Sequence, residues 1–218
     1  MIMLTSAPPL RTKLRIRPKH VLFIVLGLMT LFVLHHDETF FFHHESTTWK
    51  FFYPVRWKIF LHGIGGATAL TLGAVQFSSR LRQHYPALHR LFGRFYVGGV
   101  LVAAPVAVYL AFTHALAIMA TETTVQASMW VLTTSMAICA ARNKNFEVHK
   151  QWMMRSYAIT LIFVVSRIIL ALPIAPTTDE GAERIAWTLI TCALIVPQLI
   201  INWQQLFRRH TVRGGREL

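Results

Sequence analysis

The chain has 218 residues, of which 54% are hydrophobic and only 14% are charged. This composition is too apolar and too poor in charge for an ordinary soluble domain, and it excludes a disordered chain. The 22 Lys and Arg residues exceed the 9 Asp and Glu residues, which gives a net charge of +13. In a soluble protein such a charge would suggest nucleic acid as a partner, so the positions of the basic residues decide what it means.

Long windows without charged residues predict helices that cross a lipid bilayer, which takes about 20 apolar residues. Only the fifth window is broken by a charge, that of Arg167. Backbone polar groups must be paired in hydrocarbon and no alternating strand pattern occurs, so helices are expected. The six predicted spans are residues 21–36, 59–78, 95–114, 123–141, 156–173 and 185–206. The sequence therefore predicts an all-α bundle of six transmembrane helices, residues 21–206, between basic tails at 1–20 and 207–218.

The distribution of Lys and Arg predicts the orientation of the bundle, because basic residues favour the cytoplasmic side. They concentrate in both tails and in the loops after the second and fourth spans, and the other side holds only Lys50, Arg56, Lys58 and Arg184. The protein is therefore predicted to lie in the inner membrane of a bacterium, with both termini on the cytoplasmic side. The net charge then reflects topology and attraction to anionic lipid. The lipid bilayer is the expected partner, and nucleic acid is not.

Two predicted spans carry small or polar side chains along one face, given about 3.6 residues per helical turn. The second span has His62, Gly66, Ala69, Gly73 and Gln76 on one stripe. The fifth span and the residues before it have His149, at the inner boundary, and Ser156, Thr160, Phe163 and Arg167 on another. Such faces are expected to point at protein, and the small residues suit close helix packing.

Arg167 is the one charge predicted inside a span. An ion in the membrane is costly unless it reaches an interface or a partner. We expect its side chain either to extend outward, toward Glu122, Asp179 or Glu183, or to bind an anion.

Two histidine-containing strings carry the most specific pattern in the chain. They read His89-Arg90-x-x-Gly93-Arg94-x-Tyr96 and His149-x-x-Trp152-Met153-x-Arg155-Ser156-Tyr157. With the stripe of the second span, they make residues 58–203 resemble DUF2306, a family of small bacterial membrane proteins of unknown function. The resemblance implies a multi-helix membrane bundle and no particular activity. It marks these positions as matching the family pattern: His62, His89, Arg90, Gly93, Arg94, Tyr96, His149, Trp152, Arg155 and Arg167. The chain departs from the pattern at Lys150-Gln151, where relatives commonly have a basic pair.

The histidine positions suggest b-type haem and transmembrane electron transfer, which requires two imidazoles facing each other at one depth. His89 and His149, near the starts of the third and fifth spans, are the predicted ligands of the haem iron. His62 and His114 form a predicted outer pair. Four arginines are the expected anion or propionate partners: Arg90, Arg94, Arg155 and Arg167. The arrangement is similar to that of ascorbate-reducible transmembrane b-type cytochromes, except that the fourth span has no histidine.

Other functions fit the same residues. The His and Arg side chains could hold loops against anionic headgroups in a small carrier, a lipid-binding protein or an accessory subunit. A third option is a divalent metal ion bound by the loop after the first span. That loop contains His35, His36, Asp37, Glu38, His43, His44 and Glu45. Cys139 and Cys192 are expected at different depths, which disfavours a disulfide. A hydrolytic enzyme is not indicated, because no carboxylate pair lies in the membrane core.

Overall fold

A computed structural model of the chain describes residues 18–36, 43–114 and 119–214. Within these ranges the chain is helical, with short turns and no strand, so the predicted all-α class is confirmed. The elements are α1 (Pro18–His36), α2 (Thr47–Phe52), a 3-10 turn (Tyr53–Val55), α3 (Arg56–Gln76), α4 (Ser79–His84), α5 (Pro86–Thr113), α6 (Ala120–Arg142), α7 (Phe146–Leu170) and α8 (Asp179–Gly214).

Five helical segments among the described residues are long and apolar enough to cross a membrane, judged by length and composition. They are Thr47–Gln76, Pro86–Thr113, Ala120–Arg142, Phe146–Leu170 and Asp179–Leu206. These segments correspond to the second to sixth predicted spans, that is, to α2 with α3 and then to α5, α6, α7 and α8. The first predicted span coincides with α1, a helix of 19 residues. Its crossing of the membrane and the cytoplasmic termini stay predictions.

The helices extend further than the predicted spans at the end that carries the histidine strings. α5 begins at Pro86 and α7 at Phe146, whereas the predicted spans begin at 95 and 156. Pro86 suits the first turn of a helix, and the side chain of Asn145 accepts a hydrogen bond from the amide of Val148 at 3.3 Å. Charge-free windows miss these turns because Arg and Lys side chains let a helix continue into the headgroup layer. Both histidine strings are therefore helical and not in loops.

α3, α5, α6 and α7 form a closed ring in which each helix packs against the next and α7 packs against α3. We call this ring the four-helix core. α8 packs on the outside of α7, as does α1. Successive core helices run antiparallel, so α5 and α7 run parallel to each other across a diagonal. Side chains on their inward faces therefore meet inside the core, where Tyr96 and Val100 are completely buried.

Small residues bring α3 and α5 close together. A Cβ atom added to Gly99 would lie 2.6 Å from the carbonyl oxygen of Gly65, and one added to Gly65 would lie 2.9 Å from the carbonyl oxygen of Gly99. Ala69 and Ala103 fill the adjoining turns and are fully buried. The predicted role of the small residues in helix packing thus holds for this part of α3. Gly66 differs, because nothing lies within 4 Å of the position of its missing Cβ.

Candidate functional site

Tyr96 fixes the register of α5 against α7. Its hydroxyl oxygen lies 2.6 Å from Ser156 Oγ and 3.1 Å from Thr160 Oγ1 on the diagonally opposite helix. His89 precedes Tyr96 by seven residues, and His149 precedes Ser156 by seven residues. Since seven residues make about two helical turns, both imidazoles lie at one depth on the facing sides of α5 and α7. We refer to this end of the core as the His149 end and to the other as the Arg167 end.

His89 has a ring nitrogen without a partner. Its Nδ1 atom is buried and makes no hydrogen bond with any described residue. Its main-chain oxygen accepts a hydrogen bond from Gln76 Nε2 at 3.2 Å, which ties α5 to the end of α3. The ring interacts electrostatically with His149, Arg82 and Arg90, which places all three groups nearby. The backbone of His89 is thus held in place while one ring nitrogen has no partner.

His149 is oriented by a main-chain carbonyl. Its Nδ1–H donates to the oxygen of Ala137 in α6 at 2.9 Å. A carbonyl oxygen can only accept, so the neutral ring carries its lone pair on Nε2. Histidines that bind metals are commonly held in this way, with one ring nitrogen donating to a carbonyl and the other facing the metal. The structure therefore brings the predicted ligands His89 and His149 to one place.

The predicted outer pair, His62 and His114, is wrong. His62 Nδ1–H donates to the oxygen of Ala103 at 3.0 Å. His114 follows Ala103 by eleven residues at the end of α5, which places it about 16 Å further along the helix axis. The His114 ring contacts Phe51 instead, with ring centroids 6.1 Å apart. Two imidazoles at such different depths cannot ligate one iron atom.

A network of buried hydroxyl groups separates the two ends of the core. Ser156 Oγ lies 2.7 Å from Thr134 Oγ1, and Trp130 Nε1–H donates to Thr160 Oγ1 at 2.9 Å. Together with Tyr96, these groups connect α5, α6 and α7. Ser156 and Thr160 were expected on the polar stripe of the fifth span, whereas Trp130 and Thr134 were not predicted. Their spacing of four residues on α6, which matches that of Ser156 and Thr160 on α7, was the available signal.

The hydroxyl network ends on main-chain carbonyl groups. Thr134 donates to the oxygen of Trp130 at 2.7 Å, and Thr160 donates to the oxygen of Ser156 at 3.1 Å. Tyr96 and Ser156 can then donate to the remaining hydroxyl oxygens, so every donor has an acceptor. A fully paired network of this kind holds helices together and specifies a single packing. We therefore assign it a structural role.

Replacing Tyr96 with phenylalanine is expected to weaken the packing of α5 against α7. The Tyr96→Phe change keeps the buried ring but removes two hydrogen bonds, at a cost of about 1–2 kcal/mol of unfolding free energy. Thermal unfolding in detergent, followed by circular dichroism, measures the effect. Tyr109→Phe is the matched control, because Tyr109 lies on the same helix and is exposed. Equal midpoints for the two variants would contradict the structural role.

The predicted arginine partners have different environments. Arg94 is exposed on α5. Arg155 is half-buried; its Nη2 donates to Gln198 Oε1 on α8 at 2.5 Å, and its guanidinium stacks on Trp152. Gln198 is held in turn by Asn202, at 3.2 Å. Arg155 thus joins α8 to the core.

Arg167 does not reach the carboxylates expected as its partners. Its guanidinium carbon lies 5.4 Å from the ring centroid of Phe163, one turn back along α7, and no carboxylate among the described residues pairs with it. Glu122 is buried with its Oε2 atom unpartnered, and Glu183 accepts a hydrogen bond from Trp187 at 3.3 Å. None of the expected carboxylate contacts of Arg167 is therefore formed among the described residues, and the other expectation, an anion as its partner, stays a prediction.

The predicted metal site in the loop after the first span lies partly outside the described residues, which omit Asp37 and Glu38. In the described part, Glu45 pairs with Lys50 at 3.4 Å, and the ring of His44 lies against Trp49. No group of three or more His, Cys, Asp or Glu side chains in the described ranges could hold a metal ion.

Apolar helices of membrane-spanning length, with ionisable side chains directed into the core, define an integral membrane protein of the helical-bundle class. A family model described as predicted membrane protein (DUF2306) matches residues 59–204. The chain belongs to this family, as its histidine strings indicated. No curated protein and no protein of known structure matches the chain.

Proposed function

We propose that His89 and His149 would hold a single b-type haem at the His149 end of the four-helix core, and that the bound haem would let the protein transfer electrons there. The observation that carries this proposal is the common depth of the two imidazoles on diagonally opposed helices, given by the Tyr96–Ser156 hydrogen bond. Cofactor sites in helical bundles are built in this way, from side chains on facing helices.

The set of donor atoms fits haem better than a bare metal ion. A structural zinc ion takes four protein ligands, whereas haem iron receives four nitrogen ligands from the porphyrin and needs only two more. His149 presents an unprotonated Nε2, and His89 has a buried ring nitrogen without a partner. When bound, a b-type haem accepts and donates single electrons.

The chain itself would control three properties of this site. Ala137 sets the orientation of His149, and Gln76 holds the backbone of His89. Arg82 and Arg90 are exposed and bring positive charge near His89, which stabilises added negative charge at the site. Arg90 and Arg82 are therefore better placed than Arg155 or Arg167 to neutralise carboxylate groups there.

The four-helix core would hold one haem and not two. The Arg167 end supplies no second pair of histidines at one depth among the described residues, because His62 on α3 lies beside Ala103 and His114 lies at the end of α5. Electrons would therefore enter and leave at the His149 end, which the distribution of basic residues predicts to face the cytoplasm.

Absorption spectra of the purified protein, oxidised and then reduced with dithionite, test the proposal. After expression with an ample haem supply, we expect a Soret band that shifts on reduction and a sharp α band of the b type. A colourless protein under these conditions would refute the haem proposal. The Arg-rich surface at the His149 end would then favour the alternative, a carrier, lipid-binding or accessory protein that contacts anionic headgroups.

A further inference from the structure

The proposed haem site does not use His62 and Arg167, two ionisable residues at the Arg167 end. Tyr157 donates a hydrogen bond to the oxygen of Leu70 at 3.1 Å, which fixes α7 against the adjacent helix α3. His62 lies eight residues from Leu70, and Arg167 lies ten residues from Tyr157, both toward the same end. These separations are about 12 and 15 Å along the helix axes, so His62 and Arg167 lie at nearly one depth.

The guanidinium of Arg167 is directed back along α7, toward the start of that helix. It lies over the ring of Phe163, as expected for a helical side chain inclined toward the helix start. No carboxylate of the described residues pairs with it, and His62 is close enough to interact with it electrostatically. An unpaired guanidinium within a membrane span is costly unless an anion accompanies it.

There is open space beside this pair. His62, Gly66 and Leu70 follow one another at intervals of four residues on α3, and Leu70 packs with Val164 of α7. Gly66 therefore lies on the side of α3 that faces α7, one turn from His62. It is half-buried, yet nothing lies within 4 Å of the position of its missing Cβ. The hydrogen bond from His62 to Ala103 uses Nδ1 and does not involve Nε2.

We propose that Arg167, His62 and the open space at Gly66 form a binding site for an oxyanion, that is, a phosphate or carboxylate group. Arg167 supplies the charge and a planar set of N–H donors that matches the two oxygens of such a group. Arg167 is exposed at the surface of the bundle, so the anion can arrive from lipid or from water. The two sources are the headgroup of an anionic phospholipid and a small soluble anion. This site is independent of the haem proposal.

Binding of two probes to the purified, delipidated protein tests the site and distinguishes the sources. One probe is phosphatidylglycerol in mixed micelles, detected by native mass spectrometry; the other is inorganic phosphate, detected by calorimetry. Arg167→Gln is expected to weaken binding of whichever probe the wild-type protein binds by about tenfold or more, because charge-assisted hydrogen bonds are lost. If the site binds lipid, phosphatidylglycerol stays bound and phosphate does not displace it. If the site binds a soluble anion, phosphate binds in the absence of lipid.

Two further variants keep the test decisive. Arg184→Gln is the matched control at the same end, because Arg184 is exposed and already paired with Glu180 at 3.4 Å; we expect its binding to equal that of the wild type. Gly66→Leu fills the open space without changing the charge and is expected to weaken binding as well. Equal binding by the wild type and Arg167→Gln for both probes, or equal loss in Arg184→Gln, would overturn the proposal.

Discussion

Replacing either His89 or His149 with alanine is expected to abolish the haem absorbance of the purified protein. In the proposed site both imidazoles would hold the haem iron, and no group of three or more His, Cys, Asp or Glu side chains among the described residues could take over that role. The readout is the reduced-minus-oxidised difference spectrum, normalised to protein. We expect loss of the six-coordinate spectrum in both single variants, with similar effects, since the two ligands act as a pair.

His84→Ala is the matched control for this series. His84 ends α4 at the same end of the core as His89, and it is exposed. Its replacement is expected to leave the difference spectrum unchanged. A protein that keeps its full spectrum without His149, or loses it without His84, would show that the ligands are assigned to the wrong residues.

Replacing Gly99 with alanine is expected to separate α3 from α5 and to lower the unfolding free energy by about 1–3 kcal/mol, the usual cost of overpacking. The added methyl group would lie 2.6 Å from the carbonyl oxygen of Gly65, and a backbone atom cannot move aside as a flexible side chain can. Thermal unfolding in detergent, followed by circular dichroism, reports the change.

Gly98→Ala provides the comparison in the same turn of α5. Nothing lies within 4 Å of the position of a Cβ atom on Gly98, so the substitution is expected to leave the unfolding midpoint unchanged or slightly raised. If Gly99→Ala and Gly98→Ala unfold at the same temperature, the close contact between α3 and α5 is not formed in solution.

The helices could be predicted from the sequence because hydrocarbon imposes a simple rule, in which long windows without charge must be helical. The same rule placed the starts of α5 and α7 too late. His89 and His149 lie in the first turns of these helices, next to charged residues that a charge-free window excludes, such as Arg90 and Lys150. The depth of a histidine therefore depends on the true helix start, which is marked by Pro86 and Asn145.

The pairing of side chains between helices could be predicted only in part. His89 and His149 each lie near the start of a helix at the same end, so their common depth follows from topology. His62 and His114 looked similar in sequence, but His114 ends α5 while His62 bonds to Ala103, well inside that helix. Contacts such as these depend on how helices are registered, and a single sequence gives that register only weakly.

The direction of the Arg167 side chain could not be predicted from the sequence. Several carboxylates are close to it in the predicted topology, and an arginine near a helix end usually extends to the interface. The rotamer instead places the guanidinium over Phe163, one turn back along α7. A rotamer is chosen by packing against neighbouring helices, and the sequence does not reveal it.

The ratio of haem to protein tests the central claim most directly. A pyridine haemochrome assay gives the amount of haem b, and amino-acid analysis of the same sample gives the amount of chain. A single site formed by His89 and His149 predicts a ratio of one in the fully loaded protein. A ratio of two would require a second pair of ligands that the core does not bring together, and a ratio of zero would mean that the two histidines do not bind haem.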